Sequence, residues 1–464
     1  MTRSWASAAL LPAMLLLIHP SHTSARTWYV KPDSTGDVPT ISVAVDSAAT
    51  EGDTVLLADG IFTGPGNREV DCLDKALTIA SESGDPETCI IDCGSPPICG
   101  VRLVALYFRE SSHGTPRLEG VTIRDGCGGV VCDVGSAPVI TNCIFRGHRC
   151  YGCEVGSQGA GMVCYSNSEP VIEDCLFVDN GADGGGGLCL KGSWATLTRV
   201  TFLNNSASGG GGMLTENGGF ARLTDCTFSG NSCGSLFGSR ATGGGMCCRA
   251  SAELVNCVFT ENVSGDYAGG GLCFLPDLDN DYISLDGCTF VNNRVEAWGW
   301  EGGGGGFAAW SWASGNSITI TDCTFSGNGV YDSWYQGGGL AFIGDGTAVL
   351  ENTLIAFNDS GAAVCCIGAG NVNLVCCNIY GNAGGDWTAC IEGQLGISGN
   401  ISADPLFCDT LGGDYRLETC SPCLPGNHPD GYDCGVPIGA FCSGCPCEGA
   451  TVPTTWGAIK AMYR

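Results

Sequence analysis

The chain has 464 residues, with 74 Gly and 32 Cys but only 20 Lys plus Arg against 48 Asp plus Glu, a formal net charge of −28. A field of that sign repels phosphate backbones and anionic membrane surfaces, so nucleic-acid binding is excluded as a function. The glycines keep no three-residue period, which excludes collagen, and 44% apolar content with short Gly clusters fits a repetitive all-β chain.

At the N-terminus, Arg3 precedes an apolar run from Ala6 to Ile18, and Thr23 and Ala25 take the −3 and −1 positions of a cleavage site. The spacing predicts a secretory signal peptide over residues 1–25. Its apolar run is too short to span a bilayer, and no other stretch reaches the ~18 apolar residues of a membrane helix. The mature chain is therefore expected to be exported, secreted or held at the cell surface or outer membrane, with no transmembrane segment. All the cysteines follow the cleavage site, where an oxidising compartment requires thiols to be paired or buried.

The strongest signal is a repeat. Phe-x-x-Asn occurs at Phe177 to Asn180, Phe202 to Asn205, Phe228 to Asn231, Phe259 to Asn262, Phe290 to Asn293 and Phe325 to Asn328. Ile355 to Asn358 and Ile379 to Asn382 continue it, and Phe145 to His148 is a degenerate first copy. Two residues before each aromatic or Ile stands a small residue, usually Cys: Cys143, Cys175, Val200, Cys226, Cys257, Cys288, Cys323, Thr353, Cys377. Cys-x-Phe puts both side chains on one face of a strand. A second strand lies behind Gly runs that end at Leu188, Met213, Met246, Leu272 and Leu340.

The period is 24 to 35 residues, with no helical spacing inside it. One such unit cannot bury its own apolar face, but coils stacked in parallel ~4.8 Å apart can. The expected fold is all-β, a single-stranded right-handed parallel β-helix of roughly ten to twelve coils with an N-terminal helix cap and a Cys-rich C-terminal cap. Asn180, Asn205, Asn231, Asn262, Asn293, Asn328, Asn358 and Asn382 are expected to form a structural ladder, as left-handed turn residues whose amides bond from coil to coil. The inward cysteines are either small hydrophobes or inter-coil disulfides. The doublets Cys247-Cys248, Cys365-Cys366 and Cys376-Cys377 each place one thiol inward and one outward.

Loop length varies most between each ladder Asn and the next Gly run, and loops from one corner of successive coils stack into one surface. Those from 263 to 268, 294 to 301 and 329 to 336 carry Tyr267, Trp298, Trp300, Tyr331, Trp334 and Tyr335, interleaved with Glu296, Glu301 and Asp332. Aromatics flanked by carboxylates either hold sugar rings or fold onto the solenoid wall. Asp277, Asp279 and Asp281 alternate on a turn, as an irregular calcium site or a solvated one. Tyr282 and Cys288 stand where a helix-loop-helix calcium loop needs Gly and Glu, which excludes that loop type. No cofactor is required, and calcium is the one the sequence offers.

Near the C-terminus, Cys408, Cys420, Cys423, Cys434, Cys442, Cys445 and Cys447 crowd into a Pro/Gly-rich stretch, which reads as a cap stapled by disulfides. Cys420-x-x-Cys423 and Cys442-x-x-Cys445 also have ribbon-like zinc spacing, the weaker reading in an exported chain. Behind a Pro/Thr linker, Trp456, Ile459 and Tyr463 fall at helical spacing opposite Lys460, as a sorting tail or a frayed end.

Over roughly residues 120 to 385, Phe-x-x-Asn alternating with Gly-Gly-x-Leu or Gly-Gly-x-Met resembles the passenger repeats of the chlamydial polymorphic outer membrane proteins. These belong to the right-handed β-helix superfold that includes pectate lyases. Pro39-Thr40-Ile41 through Ala49, then Gly52 to Gly60, resembles the amphipathic helix and first strand that plug such solenoids. Ala403-Asp404-Pro405-Leu406-Phe407, Gly413-Asp414-Tyr415-Arg416-Leu417 and Ile438-Gly439-Ala440-Phe441 resemble a closing segment. The chlamydial proteins continue into an outer-membrane β-barrel, and with 17 residues after the cap the resemblance does not extend to autotransport. The resulting division is 26–102 for the N-terminal cap and first coils, 103–400 for the repeats, 401–447 for the cap and 448–464 for the tail.

The resemblance implies either a binding solenoid or a polysaccharide lyase or glycoside hydrolase. The position before the ladder Asn reads Asp179, Asn204, Gly230, Glu261, Asn292, Gly327, so no two neighbouring coils offer the paired acids of a calcium-assisted lyase there. Adhesion or glycan binding through stacked loops, with an extracellular polysaccharide or cell-surface ligand as partner, is the expected function. An enzyme acting on extracellular polysaccharide is the alternative.

Overall fold

A computed structural model of the protein describes residues 24–94, 103–151, 158–234, 242–265, 268–299, 303–312, 315–333, 336–368 and 370–447. The signal-peptide and tail readings lie almost wholly outside these residues. Successive coils pair as parallel strands, giving three long sheets of 13, 12 and 12 strands and a fourth of 7. The result is a parallel β-helix whose twelve-stranded sheets reach the top of the expected coil count.

Alternation along each strand builds the core. In the first sheet the inward row Leu197, Leu223, Leu254, Leu285, Ile320, Leu350 and Leu374 stacks residue on residue. In the second, Phe145, Phe177, Phe202, Phe228, Phe259, Phe290 and Phe325 form one offset stack, with centroids 4.6 to 5.0 Å apart and planes within 10°. Each ring is fully buried, a contribution of about 1.5–3 kcal/mol apiece. The Gly runs let the third sheet come close: a Cβ on Gly212 would lie 2.8 Å from the Gly245 carbonyl and 3.0 Å from the Phe228 ring.

The asparagines form a continuous internal ladder. From Asn180 to Asn358 each amide Nδ2 donates to the backbone carbonyl of the preceding coil's Phe and to Oδ1 of the next Asn, as Asn205 does to Phe177 O at 2.9 Å and Asn231 Oδ1 at 3.0 Å; Asn382 ends the ladder on Ile355 O and Asp386 Oδ1. The expected left-handed backbone falls one residue earlier. Asp179, Asn204, Glu261 and Asn292 have φ of 53° to 56°, and Gly230 and Gly327 take the same place. The corner is made by that residue, and the ladder Asn then turns its amide inward. His148 occupies the first rung, its backbone N–H donating to Asn180 Oδ1 at 3.1 Å and its imidazole Nε2 facing Ile123 O at 3.2 Å.

The inward cysteines are buried and reduced. Their sulfurs face turn carbonyls, as Cys257 does Leu223 O and Val255 O at 3.8 and 3.5 Å. Thr353 uses its hydroxyl the same way, toward Ile320 O and Glu351 O at 3.3 and 2.9 Å. At the N-terminal end the α-helix Ile41–Ser47 buries Ile41, Ala44 and Val45. Lys75 Nζ donates to Val45 O, Asp46 O and Ala48 O at 2.6 to 3.1 Å, closing that helix end. A strand at Thr27–Val30 precedes it, so Glu51–Leu57 is the second strand of the first sheet.

Among the described residues five disulfides form: Cys127–Cys150, Cys366–Cys390, Cys376–Cys434, Cys408–Cys445 and Cys420–Cys447. Two of the seven cap cysteines stay reduced, contrary to expectation. Cys423 packs with Leu354, Ile401, Leu417 and Ile438, with its thiol pushed up by burial to about 11, whereas Cys442 is exposed. Cys420 and Cys445 are bonded elsewhere, so the zinc-ribbon set does not assemble. Cys247 and Cys248 do face opposite ways, Cys248 into the main core and Cys247 into a separate cluster with Cys189 and Leu214, but both are buried and reduced, so the outward thiol does not pair.

Candidate ligand groove on the first sheet

The expected aromatic loops are partly strands. Val263–Ser264, Arg294–Gly299 and Gly329–Ser333 belong to the fourth sheet, whose register sets Glu296 beside Tyr331. Both side chains are exposed, and Arg294 Nε holds Glu296 at 2.9 Å. Trp298 and Asp332 lie on the same strands; Tyr267, Trp300, Glu301, Trp334 and Tyr335 lie outside the described residues.

The three aspartates of the acidic turn are drawn apart. Asp277 pairs with Arg249 at 2.8 Å. Asp281 is 7% exposed, its Oδ1 accepting from Ser251 Oγ at 2.9 Å and its Oδ2 from Leu278 N at 3.1 Å. Among the described residues the one trio of metal-ligating groups within 4.8 Å is Glu418, Cys420 and Cys447, and the Cys420–Cys447 bond occupies both sulfurs.

A different place collects aromatic side chains around open space. The strands Trp194–Thr198, Phe220–Thr224, Ser251–Val255 and Tyr282–Asp286 are consecutive in the first sheet. Their second and fourth residues point inward: Ala195 and Leu197, Ala221 and Leu223, Ala252 and Leu254, Ile283 and Leu285. Strand alternation therefore turns the first residue of each outward, and in-register pairing stacks Trp194, Phe220, Ser251 and Tyr282 into one column. Glu169 heads that column, two residues before the Val171 to Thr196 pairing.

This column floors a groove of about 590 Å³, within the range of small-ligand sites. Trp194 is 59% exposed and meets Phe220 edge-on at 6.2 Å; Phe220 and Tyr282 stand 6.4 Å apart across Ser251, whose short side chain opens the gap. Gly218 and Gly219 keep one wall low: Gly218 has φ +72°, and a Cβ on Gly219 would lie 2.9 Å from Ser193 O. Leu278 and Asp281 of the acidic turn form another wall.

The polar groups are fixed before any ligand arrives. Glu253 accepts from Arg222 at 2.8 Å and from the Tyr282 hydroxyl at 2.9 Å. The Arg222 guanidinium, and then that hydroxyl, hold the Glu253 carboxyl below its usual range. Burial, and then Glu253, push the Tyr282 phenol up. The Arg222 guanidinium also lies 5.7 Å from the Phe220 ring centroid. Rings on a rigid sheet beside locked polar groups can stack on and hydrogen-bond a sugar ring with little ordering cost.

Sequence reasoning passed over this column although a signal was there. Counting eight residues back from each ladder aromatic lands on Glu169, Trp194, Phe220, Ser251 and Tyr282. The residue types differ at every step, so no repeat drew attention to them.

Residues 104–290 match the family described as "Right handed beta helix region". No curated protein matches the sequence. Among solved structures, the chain is similar to the crystal structure of pectate lyase Pel9A, at 11% identity and a TM-score of 0.42, over 91% of this chain and 97% of that one. The stretch that contains the whole groove is thus a right-handed parallel β-helix region.

Proposed function

We propose that this is an exported, non-catalytic β-helix protein that binds a carbohydrate chain in the first-sheet groove, at a cell surface or in the extracellular matrix. The observation that carries the reading is the outward column of exposed Trp194, half-buried Phe220 and exposed Tyr282 flooring a preformed groove. From Trp194 to Tyr282 the column spans three inter-coil steps, ~14 Å, so a glycan lies along the solenoid axis across several rings. The signal-peptide pattern and the disulfides support export. The Tyr331 and Glu296 face of the fourth sheet is a second contact area for the same or another surface ligand. Calcium at Asp277, Asp279 and Asp281 would require Arg249 to release Asp277.

The test titrates purified mature protein with a panel of polysaccharides, following Trp fluorescence and polymer chain length by size exclusion. Saturable binding without shortening, lost in Trp194→Ala and Tyr282→Ala, is the expected result. Binding undiminished in both variants overturns the groove assignment, and progressive shortening of any polymer replaces binding with lyase or hydrolase activity.

A further inference from the structure

We infer that the groove selects a glycan without acidic groups, neutral or amino-substituted, and rejects uronic-acid and sulfated chains; this rests on the binding reading above. Recognition of a carboxylate or sulfate needs a cation free to meet it. Between Glu169 and Asp286 the described cations are Lys191, Arg199, Arg222 and Arg249, and each is already held by a carboxylate. Lys191 pairs with Glu216 at 3.3 Å, Arg199 with Asp174 at 2.6 Å, Arg222 with Glu253 at 2.8 Å and Arg249 with Asp277 at 2.8 Å.

The charge left over on the groove wall is negative. Glu169 is exposed at the head of the aromatic column. Asp281 lines the opposite part of the groove and accepts only from the neutral Ser251 hydroxyl and Leu278 amide. Two carboxylates facing an anionic chain, inside a molecule of net charge −28, set a repulsive field, and the guanidinium that lines the groove, Arg222, is already neutralised by Glu253. An amino sugar would gain from both the carboxylates and the aromatic faces.

The test measures affinities of the full mature protein for size-matched neutral oligosaccharides (glucan, mannan and xylan types), chitosan oligomers and oligogalacturonate, at 20 and 200 mM NaCl. Oligogalacturonate is expected to bind about tenfold more weakly than the best neutral oligomer at low salt, the gap closing as salt rises. Glu169→Lys should narrow the gap severalfold, read as the ratio of the two affinities, and Glu169→Gln should do so in part. Equal or tighter binding of oligogalacturonate in the parent protein, or a gap that Glu169→Lys does not move, overturns the inference. Failure of every oligomer to bind removes the binding reading, and this inference with it, which is a different result from failed charge selection.

Discussion

Removing one rung from the middle of the asparagine ladder measures what that ladder contributes. Asn262 is fully buried; its Nδ2 donates to Phe228 O and Asn293 Oδ1, each at 2.9 Å, and its Oδ1 accepts from Asn231 N and Nδ2, each at 3.0 Å. In Asn262→Ala, the Asn231 N–H, one amide hydrogen of Asn231 and the Phe228 carbonyl lose these partners inside the buried core. At about 1–3 kcal/mol for each buried group left unpaired, the sum is about 3–9 kcal/mol, and relaxation around the missing amide brings the expected loss toward the lower half. Urea denaturation followed by circular dichroism reads this as a lower midpoint. A split transition would mean that the coils on either side unfold separately, as a one-dimensional stack with a weakened interface should. Asn382→Ala is the comparison, because that rung ends the ladder, is 7% exposed and has Asp386 Oδ1 within 2.8 Å of its Nδ2. Its loss should be smaller. A drop below ~1 kcal/mol for Asn262→Ala, or one no larger than that of Asn382→Ala, would refute the reasoning.

Other perturbations probe separate parts of the molecule. Burial holds the His148 imidazole down to about 4 from an ordinary 6.5, so the unfolded chain takes up a proton below ~6.5 that the native state refuses until ~4. Stability should therefore fall by about 3 kcal/mol as pH drops through that window and level off beneath it. His148→Asn, which restores an amide rung, should remove that part of the pH dependence; identical midpoint-against-pH curves for both proteins would contradict it. Breaking Cys376–Cys434 closes off a link across 58 residues, and Cys434→Ser should cost about 4 kcal/mol in cap attachment, seen as protease cleavage within the cap while the coils stay intact. Alkylation of native protein at pH 8 should modify Cys442 and spare Cys248 and Cys377, whose thiols burial pushes up to about 12. Peptide mass spectrometry reads it, and labelled Cys248 or Cys377 before denaturation would show that the core opens. Trp194→Ala should leave the urea midpoint within ~0.5 kcal/mol, since the ring is mostly solvated; a larger shift would mean that the ring supports the fold and not a ligand.

The fold was legible in the sequence because stacking makes each core position see its own counterpart one coil away. A Phe that packs best on another Phe, or an Asn that bonds another Asn, must recur at the same place, and Phe177 through Phe325 and Asn180 through Asn382 do so. The same logic hid the left-handed corner: Asp179, Asn204, Gly230 and Glu261 share a backbone conformation, not a residue type. Disulfide partners were hidden for another reason. Cys376 and Cys434 meet because the cap folds back, and sequence separation carries no trace of that contact.

An outward column obeys neither constraint. Glu169, Trp194, Phe220, Ser251 and Tyr282 stand one above another in the first sheet, yet nothing in the core asks them to match. Each is therefore free to differ, and the differences shape the site: a carboxylate at one end, two rings, a serine that leaves a gap, then a third ring tied to Glu253. If these were solvated positions under no demand, polar and β-branched residues such as Ser317 and Thr347, which continue the same column beyond Tyr282, would be expected throughout. Two exposed rings, Trp194 and Tyr282, with half-buried Phe220 between them carry a cost in exposed apolar surface that the fold itself does not recover. A ligand covering them does recover it. In a solenoid the repeat thus specifies the scaffold, and the departures from it at exposed positions mark where a partner is to be sought.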